Sequence, residues 1–376
     1  MPVRGWWLAI VLMTAGCGTE APVDGGAADG GRVGDGGPSD PGAACREDAL
    51  GACEYRPRQH TTDQVDGVMV DNPAYGRRFP ITVRFPTDAE GPIPVIVASH
   101  GGTFNDMGHE LLGTWGDTLA SAGFGVIHIA HVEFGTPDAT RLCEDLGIPE
   151  AECVADGSYN PGVVFKPSDG VAVLDALEDI AAMLEDARGV RLDPSRVATL
   201  GWSGGTQVGL TLLGAERDVS PSVRHTAADD RIAGAMALSP HGPGFSGYFA
   251  SGSETSMDAV TRPILIATGD HDFKEGNPEL LPSIRRQTFD NLPGGAGTQR
   301  LLYSRLPVGV GGHGTYNLGD LESDEPRLQR LSLALTSVAR AFFDATLRDE
   351  AAARAYLDSD APRVLAGADD TEWSAR

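Results

Sequence analysis

The chain has 376 residues, 41% of them hydrophobic, which is enough for a sizeable core in one large or two medium domains. Its 53 acidic and 29 basic side chains leave a formal charge of −24, which argues against nucleic acid or an anionic membrane surface as partner, since both are bound through cationic patches. Only two lysines occur, Lys166 and Lys274, and this reads as compositional bias rather than chemistry.

The first element is an address. Arg4 precedes the apolar run Trp6 to Met13, too short to span a bilayer, and Thr14-Ala15-Gly16-Cys17 follows. This resembles a bacterial lipoprotein signal, with Thr14 standing where leucine is usual. The resemblance implies removal of residues 1–16, acylation of the Cys17 thiol, and an exported protein held at the membrane by that lipid. An ordinary secretory signal is the alternative, and it would leave the protein periplasmic or secreted. Residues 17–44 are rich in Gly, Ala and Asp and should form a disordered tether, because they carry almost nothing apolar to bury.

Four further cysteines, Cys45, Cys53, Cys143 and Cys153, suit disulfides in an oxidising compartment. Sequence leaves three pairings open, and the local pairs Cys45–Cys53 and Cys143–Cys153 are preferred because each brackets a short polar loop. No C-x-x-C spacing points to a metal.

From Tyr75 the pattern is regular. Ile81 to Phe85 alternates as an antiparallel edge strand, and Pro94 to Ser99 is a continuous apolar run of the kind buried on both faces. Met107, Leu111, Leu112, Trp115 and Leu119 repeat at helical spacing, Gly125 to Ile129 is a second buried strand, and a long irregular loop carries Cys143 and Cys153. A helical stripe runs from Val171 to Leu184, a strand from Val197 to Leu200 and a helix from Thr206 to Leu213. Strands Ile232 to Leu238, Ile264 to Thr268 and Arg300 to Ser304 follow, with helices at Glu279 to Phe289 and about Glu325 to Leu347. This alternation predicts one α/β domain over residues 45–376, a mostly parallel sheet covered by helices on both faces. The tail from Arg348 is acidic and shows no evident role.

Chemistry gathers beyond the strand ends, where pockets of open α/β sheets form. Gly201-Trp202-Ser203-Gly204-Gly205 lies between a strand and a helix, as a nucleophile elbow requires. His100-Gly101-Gly102 follows an earlier strand, Gly269-Asp270-His271-Asp272 a later one, and Gly311-Gly312-His313-Gly314 the last. Serine, acid and histidine thus occur in the order found in α/β-hydrolases and not in the chymotrypsin or subtilisin arrangements.

The stretch from about Tyr75 to Leu347 resembles an α/β-hydrolase without a large cap domain. The phrases PVIVASHGG, RVATLGWSGG and IAGAMALSP are similar to the bacterial branch that includes platelet-activating-factor acetylhydrolase-like proteins and predicted dienelactone hydrolases. The resemblance implies Ser203 as nucleophile, His313 as general base, an acid three residues after Gly269, hence Asp272 rather than Asp270, and an oxyanion hole from the N–H groups of Gly102 and Gly204. Gly204 departs from relatives that carry a larger residue there. Short-chain, lipid-derived or polyester esters are the implied substrates, with no metal or organic cofactor required. A hydrolase-fold binding lipoprotein without activity, and a peptidase or acyltransferase using the same residues, are the other readings. Of the remaining histidines, His128 and His131 suit the core or a pocket wall, His100 suits ordering of the glycine loop, His241 suits the pocket lining, His60 lies near the leader and His225 lies in a polar stretch.

Overall fold

The parallel apolar strands of this chain serve two cores at once. The computed structural model describes residues 45–47, 52–102, 107–153, 160–242, 254–273, 281–295, 297–307 and 309–376. The signal, the lipidation candidate Cys17, the tether and Lys274 lie outside the described residues. In chain order the elements are β1 (Cys45–Glu47), β2 (Cys53–Tyr55), β3 (Thr62–Asn72), β4 (Arg77–Pro86), β5 (Ile93–Ser99), α1 (Gly113–Ala120), β6 (Gly125–Ile129), α2 (Thr136–Asp145), α3 (Glu150–Cys153), α4 (Gly162–Asp175), α5 (Leu177–Arg188) and β7 (Leu192–Trp202). They continue with α6 (Thr206–Leu212), β8 (Arg217–Ser220), β9 (Val223–His225), β10 (Ile232–Leu238), β11 (Ile264–Gly269), α7 (Pro282–Asp290), β12 (Gln299–Ser304), α8 (Pro326–Leu347), α9 (Ala351–Asp358), α10 (Ala361–Ala366) and β13 (Thr371–Ala375).

Among the described residues, nine strands form the central sheet in the order β13-β12-β11-β10-β7-β5-β6-β4-β3. The six from β12 to β6 in that order run parallel to their neighbours, and β13, β4 and β3 are antiparallel additions at the two ends. Side chains of a strand alternate between faces. Ile96, Ala98, Leu200 and Leu265 accordingly pack with α1 and α8 in one core. Val95, Val97, Val197 and Ile266 pack with α4, α5 and α6 in the other. The described residues belong to one compact unit.

Several expectations need correction. The run Ile81 to Phe85 is antiparallel but not an edge, because β3 covers β4 with a register from Thr62↔Pro86 to Asn72↔Arg77. The helix expected from Met107 begins only at Gly113, and Met107 and Leu111 are exposed. The cysteine loop is largely helical. Gly135 N–H donates to the Asp138 carboxylate at 2.8 Å and Pro137 sits in the first turn, so α2 starts with its free N–H groups partly satisfied. The single stripe Val171 to Leu184 is two helices that meet at Ala176, and the first runs through Pro167, a residue that removes one helical hydrogen bond. Burial of Val163, Val164 and Phe165 in a small third core offsets that loss. The tail is part of the fold. β13 joins β12 with Leu302 opposite Trp373, and Glu372 binds Arg286 through both carboxylate oxygens at 2.8 and 2.9 Å.

Cys143 and Cys153 form a disulfide between α2 and α3, with their Cα atoms 6.0 Å apart. Cys53 is disulfide-bonded too, while the side chain of its preferred partner Cys45 lies outside the described residues. Opening the Cys143–Cys153 loop by the double substitution Cys143→Ser/Cys153→Ser is expected to lower stability by about 3 kcal/mol, from the restored freedom of the unfolded chain. A urea midpoint unchanged in the double variant would contradict this.

Candidate active site

β7 ends at Trp202, and the chain reverses at Ser203 into α6. The reversal demands a left-handed backbone, and Ser203 has φ 53°, a conformation costing a non-glycine residue about 1 kcal/mol or more. The flanking glycines are required by close approach. A Cβ at Gly201 would lie 2.6 Å from Gly205 O, and one at Gly205 would lie 2.0 Å from Ser99 O. Such contacts leave no room for a side chain at either position.

The serine hydroxyl meets His313, with Oγ 2.9 Å from Nε2. His313 opens a short 3-10 turn after β12, and its Nδ1 lies 2.7 Å from Asp272 Oδ1. Asp272 is fully buried beyond β11, accepts a hydrogen bond from Thr268 Oγ1 at 2.7 Å on its other oxygen, and receives Arg285 Nε on its backbone carbonyl at 2.9 Å. The same guanidinium stands 3.2 Å from Asp272 Oδ1 and donates to Ser239 O at 2.6 Å, tying the acid loop to the end of β10. With Asp272 accepting at Nδ1, the imidazole carries its proton there and leaves Nε2 to accept from serine. Trp202 closes one side, its ring centroid 4.9 Å from that of His313 and its Nε1 donating to His313 O at 3.2 Å.

Asp270 is not in this chain of bonds. It accepts instead from the Tyr303 hydroxyl at 2.6 Å. Gly102, at φ 77°, and Gly204 face each other across the elbow, since a Cβ at Gly204 would lie 3.6 Å from Gly102 N. Ser203, His313, Asp272, Gly102 and Gly204 are therefore brought together by four loops at one edge of the sheet. A base bonded to a hydroxyl and an acid orienting that base can deprotonate the oxygen, and the backbone of the glycine loop lies close beside it. The segments 103–106, 243–253 and 274–280, which follow β5, β10 and β11, lie outside the described residues. Among the described residues, a groove of about 490 Å³ between β3 and α4–α5 and a cavity of about 390 Å³ beside α8 and α9 lie apart from Ser203.

Sequence reasoning missed the layer behind the glycine loop. Lys166 on α4 is buried and donates to Gly102 O at 2.9 Å, so its presence is structural chemistry and not compositional bias. Its rarity in a chain that otherwise uses arginine was the available signal. Ser99, His131 and Asp169 form a hydrogen-bonded series in the same layer, with Ser99 Oγ 2.8 Å from His131 Nε2 and His131 Nδ1 3.0 Å from Asp169 Oδ2. His241 is buried just beyond β10, and His128 is enclosed on β6.

Burial dominates the titration of three of these rings. It lowers His128 to about 3, with Arg84 adding to the effect, and His100 to about 3, with His131 and Lys166 adding. It lowers His131 to about 4 against the opposing bond from Asp169. Burial pushes Asp169 up, but the bonds from His131 and Arg77 outweigh it and hold the carboxyl below its usual range. The unfolded chain protonates these histidines near 6.5, so between that pH and about 4 it binds more protons than the folded protein. Stability is fully present above about pH 6.5 and falls on acidification, by up to about 1.4 kcal/mol per pH unit for each ring. Urea midpoints at pH 7.5 and pH 5 should show the fall, and His128→Leu should make it shallower. A midpoint independent of pH across that range would contradict it.

No protein-family model and no curated protein matches this chain. The structure itself shows a mixed α/β fold with a large, mostly parallel central sheet. No described helix is long and apolar enough to cross a membrane.

Proposed function

We propose that the protein is an α/β-hydrolase-fold serine hydrolase that cleaves carboxylic esters through an acyl-enzyme. The observation that carries this reading is the bonded series Ser203–His313–Asp272, with the serine on a left-handed turn between a strand and a helix. His313 Nε2 takes the hydroxyl proton as Oγ attacks the ester carbon, and the developing oxyanion lies towards the N–H groups of Gly102 and Gly204. The imidazolium, held by the Asp272 carboxylate, then protonates the leaving alkoxide as the carbon–oxygen bond breaks. Water repeats the sequence on the acyl-serine and releases the acid. The motif resemblance directs the reading to short-chain, lipid-derived or polyester substrates, and the amino-terminal signal to an exported protein anchored by lipid at Cys17.

The test is hydrolysis of p-nitrophenyl esters from acetate to decanoate, together with labelling by a fluorophosphonate. Turnover with labelling at Ser203 supports the reading, and the chain-length optimum measures the acyl pocket. Failure of both turnover and labelling in the folded protein would leave the binding-protein alternative.

A further inference from the structure

The loop that follows β5 is pressed against the elbow in front, where Ser99 O abuts Gly205. Behind, it meets Ser99, His131 and Asp169, which repeat the connectivity of Ser203, His313 and Asp272. They are not a second nucleophilic centre. Ser99 is 1% exposed, His131 and Asp169 are 0% exposed, and Ser99 ends an extended strand instead of occupying a turn. No substrate reaches that hydroxyl.

The bonds lead forward to the glycine loop. Asp169 is anchored by Arg77 at 3.1 and 3.2 Å and by Asn72 at 3.1 Å, residues of β4 and β3. It accepts from His131 Nδ1, which leaves Nε2 to accept the Ser99 hydroxyl proton. The His131 backbone N–H points to His100 Nε2 at 3.4 Å. With Nε2 accepting, His100 carries its proton on Nδ1 and donates it to Gly101 O at 2.8 Å. The Gly101 carbonyl and the Gly102 N–H belong to one planar trans peptide and point in opposite directions. Holding the carbonyl towards His100 therefore turns the Gly102 N–H away from it. Lys166, one helical turn before Asp169 on α4, fixes the following peptide by donating to Gly102 O at 2.9 Å. A Cβ at Gly204 would stand 3.1 Å from Gly102 O and 3.6 Å from Lys166 Nζ, so the absence of a side chain there leaves space for this contact.

We propose that Lys166, directly at Gly102 O, and Asp169, through His131 and His100, are positioning residues that orient the Gly102 amide as an oxyanion donor. This rests on the ester-hydrolase reading. Gly102 has a left-handed φ of 77°, and glycine's wide conformational range makes its peptides free to rotate unless both carbonyls are held. A donor aimed only part of the time loses transition-state stabilisation without weakening substrate binding.

The experiment compares Asp169→Asn, Lys166→Met and Lys166→Arg with the unaltered chain, all checked for folding by circular dichroism. Asp169→Asn and Lys166→Met are expected to lower kcat on p-nitrophenyl acetate by about 10- to 100-fold with KM within about twofold, and to weaken inhibition by phenylboronic acid in the same proportion. Lys166→Arg, which keeps a cationic donor, should recover much of the loss. Folded variants with unchanged kcat, or with a loss confined to KM, would overturn the proposal. Should either variant fail to fold, Ser99→Ala removes one hydroxyl from the same series and is read by the same criteria. Hydrogen exchange of residues 99–102 keeps this question separate from the esterase reading. If the unaltered protein neither turns over esters nor labels, faster exchange of the Gly102 amide in Asp169→Asn still supports positioning, and unchanged exchange refutes it.

Discussion

Replacing Ser203 with alanine is expected to reduce kcat for ester hydrolysis by about 10⁴-fold or more and to abolish fluorophosphonate labelling, with the folded structure retained. The size follows from the proposed chemistry. Without Oγ there is no acyl-enzyme, and what remains is water attack assisted by the oxyanion donors and by binding alone. Folding should survive because the substitution removes one oxygen and leaves the φ 53° turn, the glycine contacts and the packing of Trp202 in place. Kinetics on p-nitrophenyl butyrate, with active-site titration of the parent enzyme, provide the measurement. Residual turnover within tenfold of the parent would place the nucleophile elsewhere and overturn the proposed role of Ser203.

Asp272→Asn should cost about 10² to 10⁴ in kcat, whereas Asp270→Asn should leave it within about twofold. The two acids stand two residues apart, yet only Asp272 lies against His313. An asparagine can keep its oxygen towards His313 and Arg285 and turn its amide to Thr268, whose hydroxyl can accept instead of donate. Imidazole orientation is then preserved while the negative charge that stabilises imidazolium is lost, so the deficit belongs to kcat. Arg285 is buried against this carboxylate, and removal of its counter-charge should lower stability by a few kcal/mol, about 3 where such a pair is fully enclosed. Equal effects of the two substitutions would contradict the assignment of the acid.

Much of the site's composition was legible in the sequence because an elbow leaves a local signature. Gly201 and Gly205 are demanded by backbone contacts within a few residues of the serine and with β5, and that demand is written as G-x-S-x-G. The parallel strands were legible for a related reason. Strands buried on both faces read as unbroken apolar runs, and Pro94 to Ser99, Gly125 to Ile129 and Ile264 to Thr268 all lie within such strands. β3 was not legible, because a strand exposed along most of its length mixes Thr, Asp, Gln and Gly among its valines and shows no sustained alternation. β13 was hidden likewise, its register set by pairing with β12 across most of the tail.

The sequence by itself therefore determined the order of the buried parallel strands, the residue types at their ends, and the place of the turn that carries Ser203. Tertiary structure decided which acid meets His313, that Arg285 joins it, and that Lys166, His100, His131 and Asp169 stand behind the glycine loop. The division has one physical cause. Turns and apolar runs are imposed by contacts among neighbours in the chain, whereas hydrogen bonds such as His131 to Asp169 or His313 to Asp272 span 38 and 41 residues and exist only once the sheet has brought its strand ends together.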